Sequence, residues 1–468
     1  MKKIILKGLF SAVLIGGALS SCNDNSLEPT LTQSKDLEQN TNTLDDLRTV
    51  LAGGYDRMQH VNYYGRDIII FGEARTDNAF SNANSNRFVT VSQMKMLVSD
   101  AYPSDTWNKI YQAIGNANIV INKQGATGDA AQLDHLKGQA YAMRALGHFD
   151  LLRLFGQQFI TGQGGMGALG VPYVTTFRVA GNLFPSRESV QQNYDNIMKD
   201  LDQAIALMNP SLDNQTKHYF TSYSAHALKA RIATYFKKYD IAEKEAGIVV
   251  NSGRYTIATA TNYANTFSQK STANVIFSIA MNANDNLGNN SLANIYRGAA
   301  YGDIVALKDL YDAYGNGDIR KTATFISQNG TSTAEYRNIG KYPSTASPVD
   351  DVPVIRFEEV VLLYAEALLN NGKTPEALIE LNKIPSNRNA APYASATMQN
   401  ILLERRKELA FEGFRFDDLA RTGMDMPLVD NLRQRYGVVK FGEYKYAFPI
   451  PQAEISANNN VKQNFGYQ

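Results

Sequence analysis

The chain has 468 residues, 44% of them apolar and 19% charged, an ordinary globular composition long enough to bury a large core. A formal net charge of +1 without a clustered basic surface argues against a nucleic-acid partner. One cysteine excludes any internal disulfide, and the histidines (His60, His135, His148, His218 and His226) include no pair at helical zinc spacing, so no metal and no cofactor is expected.

Met1-Lys2-Lys3 precede an apolar run from Gly8 to Leu19, which ends in Leu19-Ser20-Ser21-Cys22. A charged start, a short apolar stretch and small residues before a cleavage point read as an export signal. The run of about 12 residues falls short of the roughly 20 that span a bilayer. Its end resembles a bacterial lipoprotein signal, in which the thiol of Cys22 is acylated and becomes the mature N-terminus. Lys2, Lys3 and Lys7 leave with residues 1–21, taking the net charge from +1 to −2. Residues 22–44, rich in Asn, Ser, Thr and Gln, read as a lipid-anchored flexible tether.

Helices follow in pairs. One starts at Thr43 or Asp45 and runs to about His60, and another spans Pro103 to Gln124. Leu136, Ala140, Met143, Gly147, Leu151 and Leu154 recur at spacings of three and four, one face of a helix. Gly147 lowers propensity on that face, and its expected return is close helix approach. Ser186 to Met208 reads as a helix stopped by Asn209-Pro210, and Ala225, Leu228, Ile232 and Tyr235 mark the next. Asp240 is expected to cap a further helix, with Glu243 completing a capping box and Gly253 ending it.

From about residue 255 to 353 the chain turns rich in Asn, Ser, Thr, Gly and Tyr. Val275 to Ile279 predicts a short strand there, and no long amphipathic period is visible, so a loop-rich insert is expected. Helical pattern returns over Phe357 to Leu369, ended by Asn371-Gly372. Thr374 is expected to cap the next helix with Pro375 at its first position, and Thr397 begins another that runs through Leu409 to Gly413. Helix pairs of about 30–40 residues with short links suggest a mostly α, tetratricopeptide-like helical-repeat solenoid. The expected parts are a helical body at 45–254 and 354–421, the insert at 255–353 and a C-terminal segment at 422–468.

Several stretches resemble the SusD/RagB family. Residues 401–421 (ILLERRKELAFEGFRFDDLAR) and 446–467 (YAFPIPQAEISANNNVKQNFGY) are similar to its C-terminal signatures. Residues 354–372 are similar to its Arg-x-x-Glu-x-x-Leu-x-x-Ala-Glu-Ala helix, 136–156 to its early Ala-x-x-x-Arg-Ala helix, and 72–80 (GEARTDNAF) to its N-terminal Arg-Ser-Asp-Asn segment. The resemblance runs from about Asp45 to the C-terminus. It implies a surface lipoprotein of the Bacteroidetes outer membrane. Such a protein forms a lid over a SusC-like TonB-dependent transporter barrel and captures an oligosaccharide, or an oligopeptide, on a loop-rich face.

No residues point to catalysis. Glu404-Arg405-Arg406-Lys407-Glu408 has helical ion-pair spacing, and Glu404, Arg405, Glu412 and Arg415 are expected to be structural. Gly162-x-Gly164-x-x-Gly167 has a dinucleotide spacing but follows a helix rather than a strand. There is no Gly-x-Ser-x-Gly elbow. A lipid-anchored glycoside hydrolase or peptidase would need two carboxylates about 5–10 Å apart in a cleft; a ligand-free scaffold would show a shallow loop face without aromatics. Binding candidates are aromatic and planar polar residues, since a sugar offers C–H faces to rings and hydroxyls to amides. After the first helix these are Tyr63, Tyr64, Arg66, Asp67, Arg75, Asp77 and Asn78, with Asp77 read first as a structural hydrogen-bonder in its turn. Trp107, the lone tryptophan, reads as core or ligand contact. The insert supplies Asn282, Asn284, Tyr296, Arg297, Tyr301 and Tyr342.

Overall fold

The computed structural model describes residues 41–298 and 300–467; the export signal, Cys22 and the tether up to residue 40 lie outside the described residues. The fold is mostly α-helical, with two small sheets. Its first part holds α1 (Leu44–Gln59), α2 (Asp67–Ala74), β1 (Ala79–Ser81), α3 (Val89–Ser92), α4 (Ala101–Asn122), α5 (Ala130–Phe155), α6 (Val190–Leu207), α7 (Ser222–Tyr235) and α8 (Tyr239–Val250). Then come β2 (Val275–Ile279), α9 (Leu292–Arg297), β3 (Ile304–Leu307), α10 (Lys308–Ala313), β4 (Ile326–Gln328), β5 (Glu335–Asn338) and β6 (Val352–Arg356). The last part holds α11 (Phe357–Asn370), α12 (Thr374–Ser386), α13 (Met398–Leu409), α14 (Arg415–Arg421), α15 (Asn431–Gln434) and α16 (Gln452–Ala457).

The long helices start where their caps put them. Thr43 accepts from the Asp46 N–H and Asp46 answers the Thr43 N–H, a capping box repeated by Ser189 with Gln192. That second box moves the start of α6 to Val190, a turn later than the Ser186 expected. Asp240 is not a cap: it lies inside the first turn of α8, behind Lys238, and Glu243 instead bonds Asn371 and Lys373. Thr374 is likewise the first helical residue of α12, behind Lys373. The helix after Thr397 stops at Leu409 because Phe411 and Gly413 take left-handed backbone, at φ of 69° and 88°.

Each long helix packs on the next: α1 on α4, α4 on α5, α5 on α6, α6 on α7, α7 on α8, α8 on α11, and α11 on α12. Small residues permit this. Ala225, Ala227, Ala230 and Ala233 of α7 are fully buried, and a Cβ on Gly147 of α5 would lie 2.9 Å from Ile114 Cγ1 of α4. His148, beside it, is also core, with Nδ1 on the Arg144 carbonyl and Nε2 accepting from the Val174 N–H. Burial and the Arg144 charge push it down to about 3, so it stays neutral.

The insert is more ordered than its composition suggests. Its predicted strand, β2, pairs antiparallel with β6, which draws the two ends of the insert together. Within it, β3 pairs with β1 of the helical part and with β5, in the order β1-β3-β5-β4. Ala79 lies opposite Ala306 and Ser81 opposite Ile304, so the insert is sewn to the segment after α2.

Candidate functional site and its supporting junction

The segments at 72–80 and 404–418 meet. Helix α2 presses its backbone on Gly413, so a Cβ on Gly72 would lie 1.9 Å from the Gly413 carbonyl oxygen. The Gly413 N–H donates to Glu73 Oε1 at 2.8 Å. Asp77 is gripped by both Arg415 nitrogens at 2.8 Å, and Asn78 bridges Glu73 and Arg406. Behind this junction Arg320, Arg356, Arg388, Lys341 and Lys407 are interleaved with Asp318, Glu358, Glu404, Glu408 and Glu412, five charges of each sign, all buried. Glu404, Arg405, Glu412 and Arg415 are thus structural, Arg405 through Asp418.

Most of the sequence-derived candidates belong to this interior. The Tyr63 and Tyr64 hydroxyls both reach Asp150, at 2.7 and 3.4 Å. Arg66 bonds Asp67 at 2.6 Å and Asn290 at 2.9 Å, and both Arg66 and Asp67 are buried. Arg75 lies 3.5 Å over the Phe416 ring and donates to the Phe71 carbonyl. Trp107 packs edge-on to Phe155, its Nε1 donating to Glu454. Tyr296 and Tyr342 stack in parallel, each 1% exposed. Burial removes all of these side chains, together with Asp77 and Asn78, from direct reach of a ligand.

Four candidates reach solvent. Asn282 and Asn284 lie on one turn, where Asn282 Oδ1 accepts from the N–H groups of Asn284 and Asp285. Arg297 and Tyr301 lie together at the end of α9, where Arg297 donates to the Ile339 carbonyl. The loop after β1 covers this end. It carries three non-glycine residues in left-handed backbone, Ala83, Asn86 and Phe88, at φ of 62°, 60° and 58°. Such strain persists only where surroundings impose it. Here Asp303 accepts from the Ser85 N–H and hydroxyl, Asn82 N–H donates to the Asp303 carbonyl, and Asn84 donates to the Tyr301 carbonyl at 2.7 Å. Arg337 supports the other side through the Gly302 carbonyl at 2.8 Å.

The result is a guanidinium stacked on a phenol ring, Arg87 lying 3.5 Å over Tyr301, with Asn82, Asn84 and Asn86 exposed beside it. Along the same sheet a second half-exposed pair, Tyr311 and Tyr336, stacks at 4.1 Å with Lys321 over Tyr311. Rings, carboxamides and a guanidinium can bind hydroxyls and C–H faces; the nearby carboxylate, Asp303, is engaged by Ser85. Arg87, Asn82, Asn84 and Asn86 were not among the sequence candidates. The signal for them is the Asn-Ala-Asn-Ser-Asn-Arg run at 82–87. Among the described residues no group of His, Cys, Asp and Glu is placed to hold a metal ion, and no helix is long and apolar enough to cross a membrane.

Known proteins share this architecture. A solved structure of a SusD superfamily protein from Bacteroides thetaiotaomicron superposes with a TM-score of 0.81 at 26% identity, over 90% of this chain and 99% of that one. SusD-like protein P38 of Formosa agariphila is 25% identical over 493 residues, covering 90% of this chain and 92% of its own. The starch-binding protein SusD of Bacteroides thetaiotaomicron is 32% identical over 179 residues, 36% of this chain and 32% of that protein. Residues 30–234 match the family profile described as starch-binding associating with the outer membrane, and 344–467 match that of the SusD family. The chain therefore belongs to the SusD/RagB family of Bacteroidetes, surface-exposed outer-membrane proteins that bind a nutrient without transforming it and deliver it to a SusC-like transporter.

Proposed function

We propose that the nutrient is an oligosaccharide and that it is captured where the 82–88 loop meets the 297–303 segment. The observation that carries this is the Arg87–Tyr301 stack beside the exposed residues Asn82, Asn84 and Asn86. Amides and a guanidinium pair with vicinal hydroxyls, while tyrosine faces accept C–H surfaces. The starch-binding name of one relative and the starch-binding description of one profile point the same way. Arg297 and Tyr301 contribute directly, and buried Arg66 braces the insert through Asn290.

The rest of the reading follows the same logic. The helical body at 45–254 and 354–421 acts as a tetratricopeptide-like scaffold, supported by the stacking of each long helix on the next. The insert at 255–353 carries the ligand, the segment at 422–468 closes the junction, and Cys22 carries the lipid that ties the protein to the outer membrane.

Calorimetric titration of the intact protein with neutral oligosaccharides and with oligopeptides tests the ligand class, with mass spectrometry of the ligand afterwards. Saturable heat with an unshortened sugar, weakened about tenfold or more by Tyr301→Ala or Arg87→Ala, is the expected result. Heat from peptides alone would overturn the sugar reading.

A further inference from the structure

Away from the loop face, a groove opens between α1, α5 and the segment after α6. Its larger lobe measures about 490 Å³, within the range of about 300–1,000 Å³ found for small-molecule sites. A second lobe of about 250 Å³ shares Ala52, Tyr55 and Tyr219 with it and ends at Asn282 and Asp285. The two lobes are thus halves of one furrow, divided by a tyrosine pair.

That pair is fixed. The Tyr55 hydroxyl accepts from the Phe220 N–H at 3.0 Å and donates to Gln139 Oε1 at 3.3 Å. Tyr219 meets the Tyr55 ring edge-on at 5.1 Å and remains 36% exposed, its ring open to the furrow. Leu212, equally exposed, provides an apolar wall.

Among the polar groups of the larger lobe, Gln139 and His135 hold the donors left for a ligand, whereas Thr49, Gln132 and Asn214 are bonded within the protein. The Gln139 bond to Tyr55 uses its oxygen, leaving the Nε2 donors outside that bond. His135 is 6% exposed and lines the lobe. Its Nδ1 accepts from the Asn209 N–H at 3.2 Å, so the ring proton resides on Nε2, which has no partner in the protein. Burial disfavours the charged ring, so this donor is a neutral one. A buried donor left unpaired is costly and normally finds an acceptor. The nearest cation, Arg48, is already engaged by Asp45 and by Gln132 Oε1. The lobe therefore offers a neutral ligand two kinds of N–H donor and one aromatic face. A charged ligand would find no free counter-charge.

We infer that this furrow is a second ligand site that takes one or two units of a neutral sugar chain, with a ring against Tyr219 and hydroxyl oxygens accepting from His135 Nε2 and Gln139 Nε2. The identity of the ligand rests on the oligosaccharide reading above; the location does not. Two separated sites would let one chain hold an extended glycan at two points, which raises its effective concentration at each.

The test is calorimetry of the intact protein, purified in detergent, against neutral di- to hexasaccharides and uncharged oligopeptides. Tyr301→Ala, Tyr219→Ala and Gln139→Leu are compared with the unmodified chain, and thermal melts establish that each is folded. The expected result is a sugar-binding event that survives in Tyr301→Ala and is weakened about tenfold or more in both furrow variants. Tyr219 is at the surface and leucine nearly preserves the volume of Gln139, so at least one furrow variant remains folded. Sugar binding abolished by Tyr301→Ala and untouched by both furrow variants would overturn the second site while leaving capture at the loop face standing. Heat from peptides only, or from nothing in the panel, would overturn both readings together.

Discussion

At the scale of single residues, Glu408 is a buried carboxylate held by three guanidinium groups. It accepts from Arg320, Arg356 and Arg388 at 2.8 to 3.1 Å while fully buried. Burial alone would raise its pKa, but Arg388, Arg356 and Arg320 outweigh that and hold it far below the usual carboxylate range. Its unfolded value is about 4.3, so the stability it contributes is complete above about pH 5 and drains away as pH falls toward the folded value. Denaturant titrations between pH 7 and pH 3 should show this acid-side loss, and Glu408→Gln should flatten the profile while lowering stability at pH 7 by roughly 3–5 kcal/mol. An unchanged acid limb in the variant would mean other carboxylates, such as Glu412 or Asp418, govern it. Gly72 and Gly413 belong to the same junction. Gly72→Ala sets a methyl group against the Gly413 carbonyl, backbone that cannot swing away. It is expected to cost more than about 3 kcal/mol, read as a fall in the urea midpoint or as loss of folded protein.

At the scale of elements, helix contact is set by small residues, and Gly147 offers a clean case. Alanine there gains about 1 kcal/mol of helix propensity but brings a methyl 2.9 Å from Ile114 Cγ1 on α4. If contact dominates, Gly147→Ala alone destabilises by about 1–2 kcal/mol. In the double variant with Ile114→Ala, which removes that Cγ1, the combined loss is then smaller than the sum of the two single losses, a coupling that a double-mutant cycle in urea measures directly. This contact was legible in the sequence because Gly147 interrupts an otherwise regular apolar face. So were the long helices, through Thr43, the apolar face at 136–154 and Asn209-Pro210, and β2 through its run of β-branched and aromatic residues. The sheet β1-β3-β5-β4 was not, because its strands are only three or four residues long, too short to display alternation: β3 is buried throughout, while β4 and β5 are largely half-exposed. Nor were the charge partners. Helical spacing marks Glu404 and Glu408 as paired residues, but their mates Arg320, Arg356 and Arg388 come from three other segments. Tyr63 and Tyr296 look like ligand residues in a list of loop tyrosines, yet a tyrosine finds a partner as readily in Asp150 or a backbone carbonyl as on a sugar. Arg87 and Tyr301 are brought together by the pairing of β1 with β3 and by the bonds of Asn84 and Ser85 to the 301–303 segment, which no local pattern announces.

At the scale of the whole molecule, capture and delivery require the ligand face to stay near the transporter mouth, and attachment decides that. A single acyl chain gives only marginal membrane binding, so firm attachment calls for a lipidated N-terminus bearing more than one chain. No helix among the described residues can serve instead. Cys22 is the single thiol in the sequence, and it follows Leu19-Ser20-Ser21, the small residues expected before cleavage. Cells fed an alkyne fatty acid should therefore incorporate label into this protein, and intact mass should place both the label and the new N-terminus at residue 22. Cys22→Ser should abolish the label and leave the signal uncleaved, while calorimetry on the purified variant still detects sugar, because the proposed ligand face begins at residue 82, some 60 residues after Cys22. Growth on the bound sugar at limiting concentration should then fall with binding intact, separating where the protein is held from what it holds. Label that persists in Cys22→Ser would place the anchor elsewhere.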